Sequence, residues 1–493
     1  MSGNEPNGRL IRAPGFTQRL MDHPRIGYYI YPDGLCGLVT RDPDDCPTIA
    51  VAYVVDQLLV TAKLAEHPKF SKELAKVAGP TGVHIFDPET SGVAHEDNVE
   101  IFVLHDGGKA GKHSHGGVPE AVWKLRTTLP TGMEPQMVAP NHVLVPPGRT
   151  HECPYGAPRP YGSLTLPARA YPSIEVVVID SGFIMQSPIS LAVTNVSFGE
   201  WLARLPAAAV YDWEPGTEAP PGITTPLDQN GDNKLDALAG HANFVAGVVA
   251  RSCEQAELTL ESLNSSVIDS DTSIPGFVTE AEVARCWWEH RDAPVVNVGY
   301  AFATLPNQAL NIEDDPSVVN GPPSWSFQVV MDAVGDTEEH MVVAPAGNQN
   351  CTVRQYPAAF SLTYSNVAGV GSVDENGDPS SFSNHGPWVN CCTGGENVAS
   401  TFVDYWDGET EDGDPTAFVP EENWPHPDKL FSGWALWSGT SFAAPRVTAA
   451  IAEAVASGTA TNPLDAWTQL IQGGPTPGLD MGTRLDGLPP VSP

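Results

Sequence analysis

Hydrophobic and polar positions in the first third of the chain alternate between strand-like and helix-like spacing. An apolar run at 49–61 is typical of a strand, and Phe70, Leu74 and Val77 recur at helical intervals. The predicted elements, in chain order, are a strand at 49–61, a helix at 67–77, strands at 83–86 and 99–104, a helix at 119–129 and a strand at 137–145. This β-α-β-β-α-β order predicts a small ferredoxin-like α+β unit.

The pattern changes from residue 173 onward, where the apolar runs become nearly continuous. Such runs are typical of parallel strands buried on both faces. They occur at 175–179, 295–298, 341–344 and 366–370, with helical segments between them at 240–250, 278–290 and 327–333. Strand–helix alternation predicts an open α/β sheet flanked by helices, with functional residues at the carboxyl ends of the strands.

Composition marks the boundaries between these units. Residues 149–172 are rich in Pro, Gly and Tyr, which is typical of a linker. The end of the chain is also rich in Pro and Gly, and one helix is predicted there at 463–471. The predicted domains are an N-terminal extension at 1–47, the α+β unit at 48–147, a linker at 148–172, the α/β domain at 173–458 and a C-terminal tail at 459–493.

The chain is strongly acidic, with 25 Lys and Arg against 60 Asp and Glu and a formal net charge of -35. An anionic surface repels nucleic acid and acidic lipid, so neither nucleic acid nor a membrane is expected as a partner. The first residues lack the apolar core of a secretory signal, and no stretch reaches transmembrane length. We therefore expect a cytoplasmic protein, with a non-classical export route left open.

Two features of the sequence bear on metal binding. The eight cysteines include no paired Cys-x-x-Cys motif, so buried free thiols are expected instead of a zinc site. Asp228, Asn230, Asp232 and Asp236 occupy positions 1, 3, 5 and 9 of a loop similar to an EF-hand, but Ala239 stands at position 12. This spacing is equally typical of a structural calcium loop and of a metal-free turn. No cofactor is expected to be required.

Four polar residues lie where predicted strands end or helices begin. Asp180 ends the run at 175–179, and His241 opens a run of small and apolar residues that suits a helix packed on a sheet. Ser441 follows a Gly-Thr turn at the start of an Ala-rich helix, where free N–H groups favour a developing oxyanion. Asn348 follows the strand at 341–344 and offers an amide donor.

Each of these residues has an ordinary structural explanation when it is taken alone. Asp180 and Asn348 suit turns. His241 suits a satisfied structural histidine, and Ser441 suits a helix N-cap. Their joint occurrence, in one order and in one α/β domain, favours catalysis over four separate structural roles.

The motifs around these residues resemble the sequence blocks of the subtilisin family. The blocks are Asp180-Ser181-Gly182, Gly240-His241 followed by Val245-Ala246-Gly247, Ala346-Gly347-Asn348, and Gly439-Thr440-Ser441 followed by Ala443-Ala444-Pro445. The order Asp, His, Ser is also the order of that family. Weaker blocks at 295–299 and 382–387 agree, and the resemblance covers roughly residues 173–456.

The resemblance implies a serine endopeptidase that cleaves protein or peptide substrates through an acyl-enzyme. Ser441 would attack the scissile carbonyl, His241 would carry its proton, and Asp180 would hold His241 in the productive tautomer. Asn348 and the Ser441 N–H would bind the oxyanion. A specialised processing protease or peptide macrocyclase is the alternative enzyme. A non-catalytic pseudoprotease scaffold would be expected to lack a triad residue, and none is missing.

The resemblance also implies which residues pair with the substrate. Gly299, Tyr300 and Ala301 would form one substrate-binding segment, and Ala346 and Gly347 would contribute to another. The family commonly has Ser-Leu-Gly in the first segment. Because Tyr300 is bulkier than leucine, the preference for the side chain before the cleaved bond stays open.

The unit at 48–147 is similar to the subtilisin propeptide, which acts as folding chaperone and inhibitor. Its stretch Val138-Ala139-Pro140-Asn141-His142 resembles the last propeptide strand. The resemblance therefore implies a zymogen with its own N-terminal domain as intramolecular partner, processed between Pro147 and Pro172. A permanent accessory domain that is never cleaved is the alternative.

Overall fold

The computed structural model describes most of the chain from residue 25 onward. The described residues are 25–30, 49–105, 117–144, 155–162, 164, 166, 174–181, 193–198, 234–235, 240–262, 278–305, 320–335, 337–406, 409–410 and 431–488. They form one group of elements before residue 145 and a second, larger group from residue 155 onward.

The first group is an antiparallel sheet of five strands with three helices. The elements are β1 (Ile26–Ile30), β2 (Ile49–Thr61), α1 (Ala62–Ala65), α2 (Phe70–Leu74), β3 (Val83–His84), β4 (Val99–Val103), α3 (Gly117–Arg126) and β5 (Val138–Val143). The long strand β2 pairs with β1, β4 and β5, and β3 pairs with β4. Apolar residues of β2 pack against Phe70 of α2 and Val122 of α3 in one buried cluster.

These elements follow the predicted order but differ in two places. The helix predicted at 67–77 is shorter than predicted, since α2 spans only Phe70–Leu74, and the separate helix α1 precedes it directly after β2. Strand β1 lies in the predicted extension at 1–47, and Gly27 lies so close to Tyr53 that an added Cβ would be 2.5 Å from its ring. Whether this group is a propeptide-type domain stays a prediction.

The second group contains the parallel sheet that the continuous apolar runs predict. Its strands are β7 (Ile174–Asp180), β8 (Val193–Phe198), β10 (Ala256–Ser262), β11 (Val295–Val298), β12 (Met341–Pro345), β13 (Val367–Val373), β14 (Cys391–Gly394) and β18 (Thr483–Arg484). The spatial order is β18-β14-β13-β12-β11-β7-β10-β8, and every pair is parallel. The expected α/β fold, a subtilisin-like parallel sheet flanked by helices, is confirmed.

Helices cover both faces of this sheet because alternate strand residues point to opposite sides. Val176 and Val178 of β7 belong to one buried cluster with α4 (His241–Ser252) and α7 (Thr440–Ala456). Val177 and Ile179 belong to another with α5 (Glu280–Glu289) and α6 (Trp325–Val334). Residues 176–179 of the strand are therefore all apolar, as two-sided burial requires.

A smaller antiparallel sheet leads directly into α7. Its strands are β6 (Tyr155–Pro160), β15 (Val398–Trp406) and β17 (Phe431–Ser438), with β17 in the middle, and β9 (Lys234–Leu235) pairs separately with β16 (Glu409–Thr410). Strand β6 lies in the segment predicted as a linker, and its Tyr155 pairs with Ser438. The segment predicted as a linker therefore contributes a strand next to the start of α7.

The C-terminal tail contains a helix at the predicted bounds, α8 (Pro463–Ile471). Asn462 caps it by accepting a hydrogen bond from the Asp465 N–H, and Pro463 occupies the first helical position, where no N–H is needed. Ala466 and Trp467 join the buried cluster of α4 and α7.

None of the helices in the described part of the chain combines the length and apolarity that a bilayer crossing needs.

The two groups are joined by a buried polar contact between β5 and α5. His142 Nδ1 lies 2.5 Å from Glu280 Oε2, and the Leu305 N–H donates to His142 Nε2 over 3.0 Å. Glu280 also accepts hydrogen bonds from the hydroxyls of Ser324 and Ser326. His142 and Glu280 are 2% and 1% exposed, so this hydrogen bond is shielded from water.

Candidate active site

Asp180 is the last residue of β7, which lies between β10 and β11 in the parallel sheet. Its Oδ1 accepts hydrogen bonds from the Ser181 N–H over 2.6 Å and from His241 Nδ1 over 2.7 Å. The residue is 1% exposed. Because this carboxylate oxygen accepts from His241, it can hold the buried imidazole in place.

His241 is the first residue of α4, directly after Gly240. Gly240 has a φ of 75°, and an added Cβ would lie 2.6 Å from the Phe402 ring, so only glycine suits this entry to the helix. The rings of Trp437 and Phe442 pack against the imidazole at 5.9 and 5.4 Å between centroids. These contacts fix the ring plane.

The hydrogen bond to Asp180 determines the tautomer of His241. A carboxylate oxygen only accepts, so Nδ1 carries the proton in the neutral ring and Nε2 keeps its lone pair. Nε2 is buried and makes no hydrogen bond within the described part of the chain. A lone pair on a buried imidazole nitrogen, with the opposite nitrogen held by a carboxylate, is what a general base requires.

Ser441 is the second residue of α7 and is 3% exposed. The next residue, Phe442, packs against the imidazole of His241, so the start of α7 lies beside that ring. Because His241 Nε2 makes no hydrogen bond, the bond from the Ser441 hydroxyl to it is not formed in this structure. Such catalytic hydrogen bonds often tighten only when substrate is bound.

Asn348 is held beside the same helix start by Thr440. Asn348 Oδ1 accepts from both the N–H and the hydroxyl of Thr440, each over 2.9 Å, and the Gly347 N–H donates to the Thr440 hydroxyl over 3.0 Å. With Oδ1 occupied as acceptor, the donating Nδ2 lies on the opposite side of the amide. Thr440, which the sequence did not single out as functional, therefore orients Asn348 next to Ser441.

The orientation of Asn348 gives a testable consequence. Replacing Asn348 by alanine is expected to lower kcat by about 10²–10³-fold, the loss known for the oxyanion asparagine of subtilisin, with little change in KM. Steady-state hydrolysis of a peptide ester or amide measures both constants. The exposed Asn376 is the matched control, and equal kcat values for the Asn348→Ala and Asn376→Ala variants would remove Asn348 from the oxyanion site.

The substrate-binding segment predicted at Gly299, Tyr300 and Ala301 begins next to the Asp180 carboxylate. A Cβ added to Gly299 would lie 1.9 Å from Asp180 Oδ2, so a side chain at this position would displace the carboxylate. Asp180 Oδ2 is buried and makes no hydrogen bond within the described residues. Gly299 therefore leaves room for the orientation in which Oδ1 meets His241.

The side chain of Tyr300 lies in the core, because the residue is only 6% exposed. Burial raises the pKa of its hydroxyl well above the usual value, and the nearby charge of Asp180 adds to the effect. Ala301 is also buried. The bulk of Tyr300 is thus accommodated within the apolar cluster that α5 and α6 cover.

Ala346 and Gly347 are positioned by Asn384, a residue of the weaker block at 382–387. The Asn384 amide donates to the Ala346 carbonyl over 2.9 Å and to Gln349 Oε1 over 2.7 Å. Gly347 has a φ of 95°, and an added Cβ would lie 2.5 Å from Asn384 Nδ2. Glycine is required by both the conformation and this close approach.

The predicted calcium ligands lie outside the described residues. These are Asp228, Asn230, Asp232 and Asp236. The structure begins again at Gly240, directly before His241. Calcium binding next to the catalytic helix stays a prediction.

Comparison with known proteins gives one family match. The sequence profile described as the subtilase family matches residues 174–468. This range includes all four candidate catalytic residues and both predicted substrate-binding segments. No curated protein sequence matches the chain.

Similar solved structures include those of three proteases. The prenylagaramide maturation protease PagA is 16% identical, with a TM-score of 0.38 and coverage of 64% of this chain and 90% of that protein. A lanthipeptide protease is also 16% identical, with a TM-score of 0.41 and coverage of 64% and 86%. A cold-adapted subtilisin-like serine proteinase is 19% identical, with a TM-score of 0.37 and coverage of 67% and 95%.

Proposed function

The chain belongs to the subtilase family, and from this premise we propose that it is a serine endopeptidase with Asp180, His241 and Ser441 as its triad. The observation that carries the proposal is the 2.7 Å hydrogen bond between Asp180 and His241, two residues 61 positions apart in sequence. Both are buried at the carboxyl edge of a parallel sheet, beside the start of the helix that bears Ser441. If Asp180 and His241 only stabilised separate turns, they would not need to contact each other.

The proposed reaction begins when His241 Nε2 takes the proton of the Ser441 hydroxyl. The oxygen attacks the scissile carbonyl, and the negative charge that develops is stabilised by the Asn348 amide and the Ser441 N–H at the start of α7. His241 then gives the proton to the leaving amine, and water repeats the sequence on the acyl-enzyme. Asp180 stays ionised and stabilises the imidazolium.

The tight aromatic surroundings of His241 support this assignment. Trp437 and Phe442 exclude water from one side of the ring, and Asp180 offers the adjacent negative charge. Electrostatic interactions are stronger where water is excluded. A binding scaffold without catalysis would not need the proton-accepting nitrogen to be kept free of hydrogen bonds.

We further propose that the N-terminal group of strands acts as an intramolecular inhibitor and folding partner. Two contacts support the proposal: His142 docks on Glu280 of α5, and Tyr155 pairs with Ser438, three positions before Ser441. The chain that joins Leu144 to Tyr155 therefore leads from the docked group to the start of α7. The expected site of self-processing is a bond between Pro147 and Pro172, and residues 147–154 of that range belong to this connection.

Product mass tests the proposed reaction directly. A peptide substrate incubated with the purified chain is expected to yield two fragments whose masses sum to the substrate plus one water, because the acyl-enzyme is resolved by hydrolysis. Mass spectrometry of the same sample locates any cleavage between Leu144 and the start of β7. A product with the mass of the substrate minus the leaving peptide and no added water would identify a macrocyclase instead.

A further inference from the structure

Three metal-ligating side chains converge at a place that the proposed catalytic reaction does not use. Glu261 lies near the end of β10, Cys286 lies on α5, and His290 is the residue that ends that helix. One ligand atom from each lies within 4.8 Å of the other two. His290 Nε2 and Glu261 Oε1 are 2.7 Å apart.

The fold explains why these residues meet. Leu258 and Leu260 of β10 belong to the cluster on the α4 side, so Glu261 points to the opposite face, which α5 covers. Cys286 and His290 are four positions apart and lie on one face of α5. Two adjacent turns of one helix and one strand end thus supply the three groups.

The surroundings of the cluster are rich in negative charge. Burial raises the pKa of the Cys286 thiol well above its usual value, and the charges of Glu261 and Glu289 add to this. Burial alone would lower the pKa of His290, but hydrogen bonding and charge from Glu261, with Glu175 and Glu289, outweigh it and raise the value. Arg285 lies 3.5 Å from Glu289 and offsets part of the charge.

We propose that Glu261, Cys286 and His290 bind a thiophilic divalent cation, with Zn²⁺ as the best match. Thiolate, imidazole and carboxylate are the three ligand types that zinc takes in proteins, at about 2.0–2.3 Å. Magnesium and calcium, which prefer oxygen ligands, would not use the thiol. Three protein ligands leave the fourth tetrahedral position for water. The proposal is independent of the peptidase reaction.

The sequence did not reveal this site because its ligands come from separate elements. The spacing of Cys286 and His290 on one helix is common in cores, and Glu261 is 25 positions away from Cys286. Paired-cysteine motifs, which mark many zinc sites in a sequence, therefore do not mark this one.

Cobalt binding to the full-length chain tests the proposal. After treatment with a chelator, added Co²⁺ is expected to produce a thiolate-to-cobalt charge-transfer band in the near ultraviolet, and Zn²⁺ is expected to remove it by competition. The Cys286→Ser variant should lack the band and bind Zn²⁺ about 100-fold more weakly or worse, since even indirect changes at metal sites cost 10–100-fold. The His290→Ala variant should weaken binding similarly.

Cys253 provides the matched control. Its thiol is also buried beside a carboxylate, that of Glu453, and burial raises its pKa to about 12, but it is not part of the cluster. The Cys253→Ser variant should keep the cobalt band. Zn²⁺ is expected to raise the Tm of this variant and of the unmodified chain alike. The proposal is overturned if the unmodified chain shows no band, or if the band survives in the Cys286→Ser variant. If the Cys253→Ser variant loses the band and the Cys286→Ser variant keeps it, the metal binds at a site other than the proposed cluster.

Discussion

Replacing Ser441 by alanine is expected to lower the rate of peptide hydrolysis by about 10⁶-fold, the loss known for the triad serine of subtilisin. The hydroxyl is the proposed nucleophile, and the neighbouring Thr440 hydroxyl is engaged by Asn348 Oδ1. The fold should be unchanged, because Ser441 makes a small contribution to a helix that Phe442 and Ala443 anchor in the core. Initial rates with a chromogenic peptide, together with circular dichroism, measure both quantities.

Ser457 at the opposite end of the same helix is the matched control. It is exposed and caps the last turn of α7, so the Ser457→Ala variant should keep full activity. Comparable rates for the Ser441→Ala variant and the unmodified chain would contradict the proposed nucleophile. Residual activity about 10³–10⁴-fold above the uncatalysed rate is expected, because the oxyanion donors remain.

Replacing Glu280 by alanine should destabilise the folded chain by about 3–5 kcal/mol, because three buried donors lose their acceptor at about 1–3 kcal/mol each. His142 would lose its acceptor, and the hydroxyls of Ser324 and Ser326 would lose theirs, all in a region closed to water. Urea unfolding measures the change in free energy. Limited proteolysis after residue 144 should also become faster, because the contact that joins β5 to α5 is weakened.

The matched control is Glu289 on the same helix. Its side chain is 57% exposed and only 3.5 Å from Arg285, so the Glu289→Ala variant should change stability by less than about 1 kcal/mol. If the Glu280→Ala and Glu289→Ala variants unfold at the same urea concentration, the buried pair does not hold the two groups together.

The parallel sheet could be predicted because its strands have a strong pattern. Residues 176–179 are apolar on both faces of the strand, and the structure shows the two faces in different buried clusters. The helix at 463–471 could be predicted because its cap, Asn462, and its first residue, Pro463, mark the start. Both elements are specified by residues that lie close together in sequence, so the sequence alone predicts them.

Other elements could not be predicted because their reasons are not local. Strand β6 contains two prolines and resembles a linker, yet it pairs at the edge of a small sheet, where missing N–H donors are tolerated. Strand β1 is short and depends on the approach of Gly27 to Tyr53. Only the tertiary structure contains these partners.

In the candidate site, too, some features could be predicted from local sequence and others depend on tertiary contacts. The four motif residues could be found from their blocks, but the role of Thr440 in holding Asn348 depends on contacts 92 positions apart in sequence. The space that Gly299 leaves for Asp180 likewise depends on the meeting of β7 and β11. Motifs identify the reacting groups, and the fold determines how they are oriented.

Labelling with a fluorophosphonate tests the triad most directly, because the reagent bonds only to a serine that an adjacent base activates. The unmodified chain is expected to gain a single phosphonyl group, located on Ser441 by peptide mass spectrometry, and the Ser441→Ala variant to gain none. No labelling of the folded, unmodified chain, or an adduct on another residue that persists in the variant, would contradict Ser441 as the activated serine beside His241 and Asp180.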